Sequence, residues 1–359
     1  MTPRMTDIID DHRSTCVLRA SGERDILELR ALLRELLGGN ERIARIHRVN
    51  ARVLRMDIAD GAPWRTIVVK RLEPAVAQRT ELVARRWLPA LGLGDRCARL
   101  LGVAAEARGA CVWHVYEDLG EETLAEHPDI DRIRAAVELV AELHTRAARH
   151  PVLPDVRRYS SGRGLHYFVE NVGDAIDALD ALAASGIEPP PEHAGVPDRL
   201  RAQLVTLLAD APRRARAEAS AGPDTLLHGD LWPINIFVGV GDSGPVARLV
   251  DWDRLAVGPF SYDVSTVLFR FPAALRGEIL EHYRQAVAQA GWRLASPADL
   301  DLLFDTAECA RYANSVIWPV HALLDERADW AFPQLADIER WFLALDECRR
   351  TPIDKEIRG

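Results

Sequence analysis

Two short apolar runs, each ending in an acid, hold the residues with the clearest chemical potential: LLHGDLWPINIFV at 226–238 and ARLVDWD at 247–253. In the first, Asp230 is followed five residues later by Asn235, and the second reaches Asp251 before closing on Asp253. Phosphoryl transfer needs little covalent help from a protein, but it needs a carboxylate to orient the acceptor and oxygen ligands to keep magnesium near the phosphates. A carboxylate and an amide at this spacing let one loop set Asp230 at an acceptor hydroxyl and the Asn235 oxygen on a metal. Asp251, at a strand end, then bridges the metals. The competing reading is bland, since Asp and Asn often end strands and form Asx-turns without any ligand.

Composition sharpens one further residue. The chain has 45 Lys plus Arg, and only Lys70 and Lys355 are lysines. Lys70 lies in a β-like run where arginine is the prevailing cation, so a compact ammonium is expected to matter there. Against these stand 54 Asp plus Glu, a net charge of −9. That balance argues against the phosphate backbone of nucleic acid as the main partner and favours a small cationic one.

The pattern HGDxxxxN followed by DWD resembles the aminoglycoside phosphotransferase and choline kinase family, which is built on the protein-kinase-like fold. Further matches extend the likeness over most of 36–270: VVKRL with Lys70, YEDLG with Glu117 and Asp118, ELHT at 142–145, and GPFSYDVSTVL with Asp263. The resemblance implies that Asp230 is the catalytic base, that Asn235 and Asp251 are magnesium ligands, and that His228 is structural. It implies that Lys70 contacts nucleotide phosphates and pairs with a glutamate of the following helix, for which Glu81 is the candidate and Glu73 the competitor. Backbone groups at Glu117, Asp118 and Leu119 would face the adenine edge. One departure is plain: the loop around Arg48, Val49, Asn50 and Ala51 has no glycine, although a Cβ limits how closely backbone N–H groups approach a phosphate. Asn50 is placed there as a nucleotide contact or, alternatively, as the cap of the turn.

These residues must be positioned by a chain of 359 residues, too long for one ordinary domain of roughly 100–200. Helical spacing of Ile26, Leu29, Leu32, Leu33, Leu36 and Leu37 precedes a stop at Gly38 and Gly39. Three β-like runs follow at 42–49, 51–59 and 65–72, an antiparallel meander with a turn at DGAPW, then a helix at 75–91 and two more apolar runs to 119. From Asp129 helices dominate, apart from the strand-like material at 225–253. The expected fold class is α+β, a bilobal protein-kinase-like fold with a β-rich nucleotide-binding lobe over 1–119 and a mainly helical lobe over 120–359. Within the latter, 150–222 reads as a helical insertion with segments near 166–185 and 197–218.

The acceptor site is expected from the insertion and the carboxy-terminal helices, where Glu308, Tyr312, Asn314, Trp318, Asp325 and Asp329 form an aromatic and acidic mixture suited to a cation. Tyr159, His166 and Tyr167 join it if the insertion borders the cavity. Five cysteines, odd in number and without a CxxC pair, indicate reduced thiols and a cytoplasmic protein. No stretch is apolar enough to span a membrane, and the amino terminus lacks the apolar core of a signal peptide. The resulting expectation is an ATP- or GTP-dependent, magnesium-dependent kinase of small-molecule hydroxyls, acting on an antibiotic or other amine-bearing natural product. A metabolic choline, sugar or amino-acid kinase is the alternative within the class. A pseudokinase-like binding protein, suggested by the glycine-free loop, is the alternative outside it.

Overall fold

The computed structural model describes residues 27–38, 43–59, 64–242 and 244–350, with main-chain description only over 346–350. Its chain divides into two compact units. The first comprises the described residues of Met1–His127 together with Ile236–Asp253, and the second those of Pro128–Asn235 and Arg254–Gly359. The strand pair at 236–253, expected with the helical part, therefore packs with the first unit.

The first unit opens with helix α1 (Leu27–Leu36). Ile26 and Gly39, which were expected to frame that helix, lie outside the described residues, as does most of the DGAPW turn. Strands β1 (Ile43–Arg48), β2 (Val53–Ile58) and β3 (Thr66–Leu72) form the expected meander. Helix α2 (Pro74–Leu82) continues into a π-turn at Val83–Trp87, and β4 (Leu100–Ala105) and β5 (Val112–Glu117) complete an antiparallel sheet of order β1-β2-β3-β5-β4. Alternation along β3 decides which side chains serve the core. Ile67 and Val69 are buried with Met56, Trp113 and Val115 against Leu29 and Leu33 of α1. Lys70 consequently points to the opposite face, beside its cross-strand partner His114.

The second unit begins with α3 (Ile130–Ala148), whose amino terminus is capped by the Asp129 side chain accepting from the Arg132 N–H. The expected insertion holds four helices rather than two: α4 (Leu153–Tyr159), α5 (Leu165–Ala184), α6 (Val196–Ala209) and α7 (Ala211–Glu218), with a two-residue strand β6 (Ser161–Gly162) between the first pair. Helix α4 is too short to display a helical period. The α6–α7 break falls at Asp210, just before Pro212, whose missing N–H stops one continuous helix over that span. After β7 (Thr225–Leu227), the chain forms the hairpin β8 (Ile236–Gly241) and β9 (Gly244–Leu249) of the first unit. Strand β10 (Ala256–Gly258) then lies between β6 and β7. Helices α8 (Ser261–Leu268), α9 (Ala273–Gln289), α10 (Pro297–Glu326) and α11 (Ala331–Arg350) complete the unit.

The core of the second unit joins Phe168, Val172 and Leu179 of α5 to Leu200 and Leu204 of α6 and to Val316 and Val320 of α10. No helix among the described residues is long and apolar enough to cross a membrane. Cys97, Cys111 and Cys309 are buried free thiols.

A buried ion pair fastens α7 to α10. Arg214, only 2% exposed, places its Nη1 2.7 Å from Asp305 Oδ2 and donates to Thr306 Oγ1 at 2.8 Å. Removing one partner strands the other charge in the core, which typically costs about 3–5 kcal/mol. Arg214→Met should lower the urea midpoint accordingly, and Arg214→Met with Asp305→Leu should recover most of the loss. Equal destabilisation by the single and double variants would show that the charge pair is not what matters there.

Candidate active site

In the second unit the segment from 228 to 235 is shaped from beneath by one carboxylate. Asp263, fully buried near the start of α8, accepts from the His228 N–H at 2.7 Å, the Gly229 N–H at 2.9 Å and His144 Nε2 at 3.2 Å. His144 in turn accepts at Nδ1 from the Tyr283 hydroxyl, and its carbonyl takes the Thr225 hydroxyl. Burial would raise the Asp263 pKa, but the His144 hydrogen bond, the electrostatic pull of the His144 and His228 rings and the Gly229 N–H hold it below the ordinary carboxylate value. Gly229 has φ +79°, and a Cβ there would lie 2.0 Å from the Arg254 carbonyl oxygen, so only glycine fits.

This platform presents Asp230 and Asn235 together. The Asp230 carbonyl accepts from the Trp232 N–H at 2.8 Å and from Asn235 Nδ2 at 2.9 Å, and the same amide approaches Asp230 Oδ2 at 3.5 Å. A single 3₁₀ turn, Pro233–Asn235, closes the spacing. With its nitrogen so engaged, the Asn235 side chain has its oxygen left over as a ligand atom.

In the first unit, hairpin β8–β9 is tied to its neighbours by the Leu124 N–H on the Ile236 carbonyl, the Val238 N–H on Glu122 and the Leu249 N–H on Arg96. The chain leaving β9 passes through Asp251 at φ +64°, a left-handed conformation uncommon outside glycine. That bend carries Asp251 and Asp253 to Lys70, whose Nζ lies 2.6 Å from Asp251 Oδ1 and 2.8 Å from Asp253 Oδ1. Burial and the neighbouring Asp251 raise the Asp253 pKa against the opposing pull of Lys70. His114, beside Lys70, is pushed down to about 4, chiefly by burial and then by Arg85 and Lys70.

Other residues expected at a nucleotide site are placed differently. Glu81 does not reach Lys70; one helical turn separates it from Arg85, and the two pair at 2.8 Å. Glu73 is exposed at the start of α2. Asn50 caps its own turn, its Oδ1 accepting from the Arg52 N–H at 2.8 Å, while the Val49 and Asn50 N–H groups donate to the Val53 carbonyl. The loop thus directs three N–H groups inward, which is incompatible with a backbone phosphate cradle built from them. At 117–119, the Glu117 carboxylate accepts from the Arg99 N–H and meets Arg248, and Asp118 pairs with Arg55 and caps Gly120. These side chains hold the backbone rather than project from it. Among the described residues, the Leu119 main chain makes no hydrogen bond.

A cavity of about 630 Å³ lies within the second unit and includes Asp230 in its wall. Its other charged lining residues are Arg163, Arg254, Arg270 and Arg311. The charged lining differs from the aromatic and acidic mixture expected from the sequence. Tyr312, Asn314 and Tyr167 do line the cavity, but Trp318, Asp325, Asp329, Tyr159 and His166 do not. Glu308 is wholly buried and pairs with both Arg270 and Arg311. Trp318 instead stacks on Trp330 with its ring largely exposed. The four arginines carried no distinguishing signal in a chain whose cations are almost all arginine.

The Asp263 platform has a pH signature. A depressed folded pKa gives stability that is complete above the unfolded carboxylate value of about 4 and is lost as pH falls through the lower folded value. Asp263→Asn should therefore melt lower than wild type at pH 7 and show a flatter decline of Tm on acidification. Parallel acid limbs would contradict the assignment.

The model for the phosphotransferase enzyme family matches residues 43–298, more than half of the chain. Comparison with curated proteins finds no match. Among solved structures, the chain is similar to a choline/ethanolamine kinase family protein from Mesorhizobium loti, with 15% identity, 92% of this chain and 98% of that one covered, and a TM-score of 0.53. It is similar also to an ethanolamine kinase from Plasmodium vivax, with 11% identity, coverage of 93% and 94%, and a TM-score of 0.56. A mutant aminoglycoside 2′-phosphotransferase in complex with GDP gives 16% identity, coverage of 88% and 96%, and a TM-score of 0.60. At these identities the likeness speaks for the fold, which is the expected α+β, protein-kinase-like one. With the family model spanning the β-meander, the 228–235 loop and the strand end at Asp251, the chain belongs to the phosphotransferase enzyme family.

Proposed function

We propose that the protein transfers the γ-phosphoryl group of ATP or GTP, with magnesium, to a hydroxyl of a small molecule. The observation that carries this reading is the Asp263-held loop, which joins Asp230 to Asn235 and sets Asp230 in the wall of a cavity large enough for a small molecule. Asp230 takes the proton of the acceptor hydroxyl as its oxygen bonds to the γ-phosphorus. The bond from that phosphorus to the β–γ bridging oxygen breaks, and the nucleoside diphosphate leaves with the electron pair. Lys70 is the ammonium for the nucleotide phosphates, and the unpaired backbone at Leu119 suits an adenine or guanine edge.

The Asn235 oxygen and the Asp251 carboxylate are hard donors of the kind magnesium takes. Among the described residues no group of three or more His, Cys, Asp or Glu forms a metal cage. A sparse donor set fits an ion whose remaining ligands are phosphate oxygens and water. When bound, magnesium neutralises charge on the β- and γ-phosphates. The inward-bonded loop at 49–52 leaves phosphate binding on that side to Lys70.

The amine-bearing antibiotic expected as acceptor, and with it a role in resistance, sits poorly with four arginines in the cavity wall. A metabolic acceptor without excess positive charge fits that wall better.

Two substitutions test the roles. Asp230→Ala should retain nucleotide binding by calorimetry while diphosphate release falls by a factor on the order of 10²–10⁴, the usual contribution of a positioned base. Turnover equal to wild type would remove Asp230 from the chemistry. In Asp251→Ala, the magnesium-dependent part of ATP and GTP affinity should disappear, and affinity unchanged with and without magnesium would move the metal site elsewhere.

A further inference from the structure

The cavity beside Asp230 has a charge imbalance that the transfer step itself does not require. Four guanidinium groups line it, and Asp230 is the one lining carboxylate. Glu308, behind the wall, compensates Arg311 and part of Arg270. Arg311 also donates to the Tyr262 carbonyl and the Thr266 hydroxyl, so its role is internal.

The other three differ. Arg163 contacts only neutral groups: its Nη1 donates to Ser161 Oγ at 2.9 Å and its guanidinium lies 4.0 Å from the Tyr167 ring centroid. Burial holds its pKa below the ordinary guanidinium value; Arg254 and Arg311 push the same way, and Tyr167 and Tyr262 oppose them. Arg254 is exposed and, among the described residues, makes no side-chain hydrogen bond or ion pair. Arg270 lies over Trp232, 3.9 Å from the ring centroid, with a buried Nε that has no hydrogen-bond partner. Arg163 is half-buried without a carboxylate, a cost that an anion meeting it would offset, and exposed Arg254 keeps an uncompensated charge at the same wall. The planar fork of arginine matches carboxylate and phosphate oxygens in pairs.

We propose that the acceptor is a small hydroxyl compound bearing a carboxylate or phosphate group, and that Arg163 and Arg254 bind that anionic group while the hydroxyl meets Asp230. The proposal rests on the phosphotransferase reading for the role of the hydroxyl, but the anion site stands on the arginines alone. The anion also offsets mutual repulsion among the arginines, so an acid is favoured over a neutral isostere by attraction and over a polyamine by repulsion.

The test is calorimetric titration of the full chain, first with magnesium and ADP, then, with that complex saturated, with L-malate, glycerol 3-phosphate, the neutral diamide of malate, and kanamycin as a polycation. At least one of the two acids should bind ten times more tightly than the diamide, and kanamycin should not bind. Whichever acid binds identifies carboxylate or phosphate as the preferred group. Arg254→Gln, an exposed position whose change leaves folding intact, should weaken acid binding at least tenfold without altering ADP affinity. Arg163→Gln should do the same, and Arg163→Lys should restore part of the loss. Neither acid exceeding the diamide, acid binding unaffected by both glutamine variants, or kanamycin binding more tightly than the acids would overturn the proposal. Acid binding that depends on Arg163 and Arg254 in a protein that fails to bind ADP would support the anion site while refuting the nucleotide-dependent function.

Discussion

The second unit turns on one buried carboxylate. Asp263 gathers two consecutive backbone N–H groups and an imidazole nitrogen at a point without solvent. Each hydrogen bond to a charged acceptor contributes about 1.5–3 kcal/mol, and losing the acceptor would strand buried donors. The local consequence is geometric. With His228 and Gly229 fixed, the next residue has little choice of direction, and the Gly229 main chain can rest against the Arg254 carbonyl because no Cβ intervenes. The precision of Asp230 is thus inherited from a residue 33 positions later that never touches a substrate.

Charge in the same unit is arranged in two tiers. Buried Glu308 and Asp305 neutralise Arg311 and Arg214, which knit helices together. Nearer the cavity, Arg163 and Arg254 lack carboxylate partners, and Arg270 is only partly matched. The distinction separates cations that carboxylates neutralise from those that they do not, without appeal to residue type. Aromatic rings support the second tier, since the Arg163 guanidinium lies over Tyr167 and that of Arg270 over Trp232.

What was legible in the sequence followed distance along the chain. Asp230 and Asn235 lie within one turn, and their spacing encoded their encounter. The β-meander and the start of α3 announced themselves through β-like runs and helical spacing. Lys70 stood out because its residue type is rare here. The cavity wall was not legible, because Arg163, Arg254, Arg270 and Arg311 converge from distant segments and resemble every other arginine in the chain. Glu308 misled for a related reason: helical spacing placed it on α10, but only packing revealed that two arginines meet it in the interior. Glu81 likewise found a nearer cation one helical turn away. The short α4 and the α6–α7 break lay below the length at which periodicity speaks.

The arrangement around Lys70 bears on what form of nucleotide the proposed function would use. One ammonium shared by Asp251 and Asp253 gives three groups with a summed charge of −1. A bare triphosphate approaching them meets two carboxylates for each ammonium, whereas a triphosphate that already carries a divalent cation brings compensating positive charge to them. Under the proposed function the cluster would discriminate by chelation state, its long-range field favouring metal-loaded nucleotide over the free polyanion. Because that field is screened over a distance of about 8 Å at physiological ionic strength, the discrimination is steepest in dilute salt.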